Sequence, residues 1–273
     1  MSIKDAILAT QPTSYWPLDD ASGSQSCHDE MGLHDTLAIP GGVTLAVLPF
    51  GTSQAPFFDG ALTSVLTIPN DPKYSQPFAQ ALTVAAWLCP LSLNNANVVG
   101  GQDKYVHYVE KAVGEAVDTE WALRFYNQNP NGTRHLRLSF YTFSLSSATR
   151  EGNGSYMEHG VSKNDETPIA LGQWVFVVGE AERWTSDFST GCAVWKQGVA
   201  AKREKADKYA DFGVRPRHGS GLITVGGSQE TGFKGAIAHV AIWNRLLSDD
   251  DIASIWSAGA SDLGDCAMYH SFG

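Results

Sequence analysis

The sequence predicts an all-β protein, a two-sheet antiparallel sandwich or jelly roll, with a short C-terminal helix. Three observations lead there. Many stretches follow the two-residue period that turns one strand face inward, Gly, Pro and Asn punctuate them, and helical periodicity of useful length occurs only near the two ends. One domain spanning residues 1–273 uses all of these pieces, with its core over about 14–259.

Taken in order, "SIKDAILAT" from Ser2 is a short amphipathic helix candidate. "ALTVAAWLCP" alternates through Leu82 to Cys89, and Pro90 closes it. "WALRFYNQN" from Trp121 and "RHLRLSFYTF" from Arg134 flank Pro130, Asn131 and Gly132, which reads as an antiparallel pair. The stretch from Thr142 to Pro168 is polar, rich in Gly and Ser, and long for a connection, so it is read as an inserted loop. "QWVFVVGEAE" from Gln173 and "GCAVWKQGVAA" from Gly191 form another pair, with Gln197-Gly198 as a tight turn.

"GLITVGG" and "AIAHVAIWN" are the last two strands. Strict alternation in the final one sends Ala238, Val240 and Ile242 to the core and His239 outward or toward a cleft. Ser248 with Asp251 resembles a capping box, Asp249 and Asp250 favour the positive end of the helix dipole, and Gly259 fits a C-terminal cap. That helix is expected to lay Ile252, Ile255 and Trp256 against an open end of the sandwich.

Composition narrows the function classes. A formal net charge of -10 argues against a phosphate-backbone binder, and the one basic run, "KREKADK" from Lys202, is broken by Glu204 and Asp207. No segment has the length and apolarity of a membrane span, and "MSIKDAILATQPTS" lacks the apolar core of a signal peptide. Cys27, Cys89, Cys192 and Cys266 show no C-x-x-C spacing, so neither a zinc knuckle nor a redox pair is indicated. A Cys27–Cys266 bridge requires the chain ends to meet; buried free thiols are the alternative, and the compartment stays undecided. Asn131-Gly-Thr and Asn153-Gly-Ser match the glycosylation sequon, although both fall where turns favour Asn-Gly.

The order of several segments resembles the laminin-G-like, concanavalin A-like jelly-roll family, from about Tyr15 to Gly259. They are "SYWPLDDASGS" from Ser14, "HDEMG" with Asp29 and Gly32, "APFFDGALTSVLTIPN" from Ala55, "LTVAAWLCP", "GQWVFVVG", "CAVWKQG", and the closing "GAIAHVAIWNRLLS". The resemblance implies a binding module for glycan or another cell-surface or matrix partner, in an extracellular, surface-attached or virion-associated setting. It also implies a calcium ion held by acidic loops, with Asp19, Asp29 and Asp59 as the candidate ligands and Asp20 nearby. Where the family commonly reads Ile-Asp-Glu-Val, this chain has Ile237-Ala238-His239-Val240, so two carboxylates of that pattern are replaced. The alternative role for Asp19 and Asp59 is to accept backbone N–H bonds in turns.

Three function classes remain. Recognition without catalysis needs exposed aromatics for stacking on sugar rings; Trp184 in "GEAERWTSDFSTG" and Tyr156 in "NGSYMEHG" are the candidates, whereas Trp16, Trp87, Trp174 and Trp243 fall in alternating strands and read as structural. A polysaccharide lyase needs a group to neutralise a uronate carboxylate and a Tyr or His to take the adjacent proton. Tyr105, His107, Tyr108, Arg124 and Tyr126 supply those residue types. A glycoside hydrolase is disfavoured, because alternation turns Glu115 away from Asp118 and Glu120. A structural tail or fibre component would need only an edge or face for protein contact.

Overall fold

The computed structural model describes residues 1–21, 23–37, 46–50, 53–76, 81–92, 105–112, 119–128, 135–143, 152–159, 171–182, 192–196, 199–200, 218–228 and 231–262, with the backbone alone described at 46–50, 53–54, 126–128, 135–141, 143, 152–159, 192–193, 199–200 and 260–262. In chain order the elements are helix α1 (Ile3–Ala9), strands β1 (Ser14–Trp16), β2 (Ala46–Phe50), β3 (Ser53–Asp59), β4 (Leu66–Ile68), β5 (Leu82–Pro90), β6 (Tyr105–Ala112), β7 (Thr119–Gln128), β8 (His135–Phe143) and β9 (Gly152–His159). They continue with β10 (Val175–Ala181), β11 (Cys192–Lys196), β12 (Val199–Ala200), β13 (Leu222–Val225), β14 (Lys234–Trp243) and helix α2 (Asp249–Asp262). An eight-stranded sheet runs β12-β11-β10-β5-β14-β3-β2 with β1 added on β14, and a six-stranded sheet runs β4-β13-β6-β7-β8-β9. All pairings between these strands are antiparallel. The two-sheet expectation is met.

The core between the sheets takes alternate residues from each. Leu82, Val84, Ala86 and Leu88 of β5 meet Val106, Val109, Leu123 and Phe125 from the opposite sheet. The other face of β5, with Ala85, Trp87 and Cys89, is also buried, because α1 and α2 lie across it. Alanines at 85, 236, 238 and 241 form much of this second surface, and their short side chains let the helices approach the sheet closely. Ser2 and Asp5 form a capping box on α1, and Ser248 and Asp251 form the one expected on α2, with both reciprocal bonds at 3.1 Å.

Four sequence expectations change. The segment from Thr142 to Pro168 is not simply a loop: β8 runs to Phe143 and β9 pairs along it as an edge strand. Gly and Ser hide that strand, since its pairing rests on backbone bonds that need no β-branched side chains. Gly259 lies inside α2 and does not cap it. A Cβ at this position would sit 1.9 Å from Trp87 Cζ2, so glycine is required by the indole packed against the helix backbone. Trp256 is 37% exposed, and Ala258 takes the buried place beside Ile252 and Ile255, against the outer face of the sheet rather than an open end.

The fourth change is at His239. Register shifts between Ala238, opposite Trp87, and Ala241, opposite Ala85, so His239 and Val240 together face Ala86 alone. This bulge puts Ile237, Val240 and Ile242 in the core between the sheets and sends Ala238 to the helix side. His239, at φ 52, is buried and not outward; its Nδ1 is 2.7 Å from the Tyr15 hydroxyl and its N–H donates to Pro17 O at 3.0 Å.

Burial, with a smaller contribution from the Lys4 charge, lowers the His239 pKa to about 3. The folded state therefore excludes a proton that the unfolded chain takes up below about pH 6.5, so this residue costs stability increasingly as pH falls from 6.5 toward 3. His239→Asn, which tolerates the left-handed backbone, is expected to lose about 2 kcal/mol less stability than the wild type on going from about pH 7 to about pH 5, measured by urea unfolding. Equal losses in both proteins would remove His239 as the cause.

Cys27 is a free, buried thiol whose pKa burial pushes up to about 12, so the Cys27–Cys266 bridge is not formed. Cys89, by contrast, is disulfide-bonded.

Candidate functional site

The outer face of the six-stranded sheet carries neither described helix, and it gathers the polar residues of β6 and β7. Tyr105 pairs with Tyr126, Val106 with Phe125 and His107 with Arg124. Register then shifts, because Tyr108 is an extra residue in β6 before Val109 meets Leu123. Val106, Tyr108 and Val109 all enter the core, while Tyr105, His107, Glu110 and Arg124 belong to the opposite face. Without that bulge, His107 and Glu110 would fall on opposite faces. With it, His107 Nδ1 is 2.5 Å from Glu110 Oε2.

Around this pair, the Arg124 guanidinium lies 4.4 Å from the centre of the Tyr105 ring, a cation–π contact. The Tyr105 and His107 rings are edge-on at 6.2 Å. The turn leading from β13 to β14 closes one side: the His107 N–H donates to Thr231 Oγ1 at 3.1 Å, Thr231 N–H donates to Ser228 Oγ at 3.1 Å, and Thr224 Oγ1 donates to Gly227 O at 2.7 Å. Gly226 begins that turn at φ +94, with the Phe58 ring so close that a Cβ would stand 2.0 Å from it. The Gly226-Gly227 pair therefore serves packing and the turn.

The rows continue across the sheet. Arg124 pairs with Ser139 and Ser139 with Tyr156, while Tyr126 pairs with Arg137 and Arg137 with Glu158. The position of Tyr126 thus aligns with Tyr105 and that of Tyr156 with Arg124, from a pattern that the sequence offered only as separate candidates. Trp184 lies outside the described residues.

Tyr108 must be removed from the set. It is fully buried between Phe125 at 5.0 Å and Phe233 at 6.3 Å, and burial holds its hydroxyl well above the usual tyrosine range. The sheet separates it from a ligand on the outer face. Glu120 is likewise not a free carboxylate: it forms a buried ion pair with Lys111 and accepts the Gly219 N–H at 2.7 Å. Glu115 and Asp118 lie outside the described residues.

The three candidate calcium ligands do not form one site. Asp29 is fully buried, and its Oδ1 accepts the N–H groups of Tyr15 and Met31 at 2.9 and 3.0 Å while Oδ2 accepts those of Leu33 and His34, both at 3.1 Å. Its acceptor capacity is spent on the loop. Asp59 accepts the Ala61 N–H at 2.7 Å and pairs across the sheet with Lys234. Tyr15, bonded to Asp29, faces Ala241, so the two carboxylates belong to opposite ends of β14, roughly 20 Å apart at the usual strand rise. Asp19 is exposed. Among the described residues no group of three or more His, Cys, Asp and Glu side chains is placed to hold a metal.

Sequence reasoning missed Glu110, Ser228 and Thr231 as parts of the cluster. Nothing in the alternation pointed to Glu110, because the bulge at Tyr108 is what joins it to His107.

These layers define the class, a jelly-roll sandwich of the lectin and glucanase type with one face covered by its helices. The chain belongs to the concanavalin A-like lectin/glucanases superfamily: the laminin-G-like family model of that description matches residues 58–253. No curated protein matches it at the level of sequence. Solved structures share the fold at low identity. The botulinum neurotoxin type G receptor binding domain is 12% identical with a TM-score of 0.57, covering 90% of this chain and 51% of its own. The binding domain of Paraclostridial Mosquitocidal Protein 1 is 11% identical with a TM-score of 0.58, covering 89% and 51%. Domain 4 of AbnA, an extracellular GH43 arabinanase from Geobacillus stearothermophilus in complex with arabinotriose, is 16% identical with a TM-score of 0.51, covering 89% of this chain and 97% of that domain. The chain thus spans about half the length of the two toxin domains. Among the described residues, no helix is long and apolar enough to cross a membrane.

Proposed function

We propose that this chain is a non-catalytic carbohydrate-recognition module acting outside the cell, with the outer face of the six-stranded sheet as its contact surface. The observation that carries the reading is the cluster on β6 and β7, where an aromatic ring, a guanidinium and a carboxylate-held imidazole share a face that neither described helix covers. Sugar recognition asks for that mixture of stacking surface and fixed hydrogen-bonding groups, and it asks for no shifted pKa. The arabinotriose complex of the AbnA domain supports the reading by analogy of fold. The Cys89 disulfide supports an oxidising compartment.

A glycan array on the full chain tests this. At least one saccharide is expected to bind, and Arg124→Ala and Tyr156→Ala are each expected to weaken it by about tenfold, the scale of one good contact. Retained binding in both variants, or loss through Trp184→Ala alone, would overturn the assignment to the sheet face. Unsaturated products from uronate polymers would replace the binding reading with a lyase.

A further inference from the structure

On the outer face, His107 Nε2 is buried and makes no hydrogen bond. Such an atom calls for a partner supplied from elsewhere. The rest of the residue is already committed: Nδ1 to Glu110 at 2.5 Å, and the backbone N–H to Thr231 Oγ1 at 3.1 Å. Glu110 is itself 5% exposed, so the carboxylate holding the ring has little freedom to turn away.

With Nδ1 engaged by a carboxylate, Nε2 presents a lone pair when the ring is neutral and an N–H when it is protonated. A hydroxyl group both accepts and donates, so it can pair with either form. A metal ion is the other ligand that a Glu-held imidazole suits, but no further metal-binding side chains gather there among the described residues. Resting on the glycan-binding reading, we infer that His107 Nε2 is the contact for a sugar hydroxyl and that Glu110 is the positioning residue that aims the ring. The Tyr105 ring, edge-on to His107, adds an aromatic neighbour to that contact.

The test is a nitrogen–proton NMR spectrum of the histidine side chains of the full chain, assigned with His107→Gln, during titration with arabinotriose, cellotriose or trigalacturonate. A saccharide that binds is expected to move the Nε2 resonance of His107, and His107→Phe is expected to weaken that saccharide about tenfold, as loss of one hydrogen bond would. Glu110→Gln is expected to alter the Nδ1 and Nε2 signals of the free protein and to weaken binding several-fold. Should His107→Phe fail to fold, the wild-type titration decides alone. A saccharide that binds while Nε2 stays still overturns this inference and leaves the glycan-binding reading intact. A response to trigalacturonate alone overturns it in favour of a carboxylate contact. If no saccharide here or on the array binds, the reading fails and this inference falls with it.

Discussion

Glu120→Ala is expected to destabilise the fold by about 3–5 kcal/mol, because it leaves the Lys111 ammonium buried without a counter-charge. Lys111 and Glu120 have side-chain exposures of 0% and 1%, so water cannot replace the lost carboxylate without a local rearrangement. The pair also holds the chain leading into β13: Glu120 Oε1 accepts the Gly219 N–H at 2.7 Å, and Lys111 Nζ donates to Gly219 O at 3.3 Å. Removing both charges should behave differently. Lys111→Met combined with Glu120→Leu fills similar volume with apolar atoms, and is expected to be within about 1 kcal/mol of the wild type or more stable. Urea unfolding of the two single variants and the double variant checks this. A loss below about 1 kcal/mol for Glu120→Ala would show that the ammonium finds water, which would contradict its burial.

Asp29→Ala is the second large effect, expected at about 3–5 kcal/mol: the buried Tyr15 N–H loses its acceptor at a cost of about 1–3 kcal/mol, and the part-buried N–H groups of Met31, Leu33 and His34 add smaller amounts because water can reach them. The Tyr15 N–H is the most costly of them, being buried where β1 joins β14. Asp29→Asn keeps the size but turns an NH2 group toward two N–H donors, and is expected to recover less than half of the loss. Thermal melts of the three proteins, each with calcium and with chelator, separate the loop role from a metal role. A calcium-dependent shift in the wild type that Asp29→Asn abolishes would return Asp29 to the metal candidates, because a ligand bound only by the native state raises its stability.

The layered fold could be read from the sequence because most strands obey strict alternation, and alternation is a statement about faces. β5 shows how far that goes: "LTVAAWLCP" marks a strand, and its near-continuous apolar character reports burial on both sides. The capping box at Ser248 was equally legible, being a local contact between residues three apart. What the sequence concealed depends on irregularities. One extra residue at His239 reassigns Ala238 and buries an imidazole, and another at Tyr108 joins His107 to Glu110. A bulge is selected by pairing with a distant strand, so the local pattern carries no mark of it. Gly259 was misread for a related reason: its cause is the Trp87 indole, far away in the chain and close only after packing. Tyr105, His107 and Arg124 could be named from residue type, but their common face is a product of register.

The helix layer has a practical corollary. Since α1 and α2 touch each other and cover the eight-stranded sheet, they lie on the far side of the sandwich from Tyr105, His107 and Arg124. A tag, linker or fused domain joined ahead of α1 would act as a handle behind the molecule. On a sensor chip or cell surface, tethering from that side would present the Tyr105–Arg124 face to the solution, so immobilised and free protein should show equal affinity for the same saccharide.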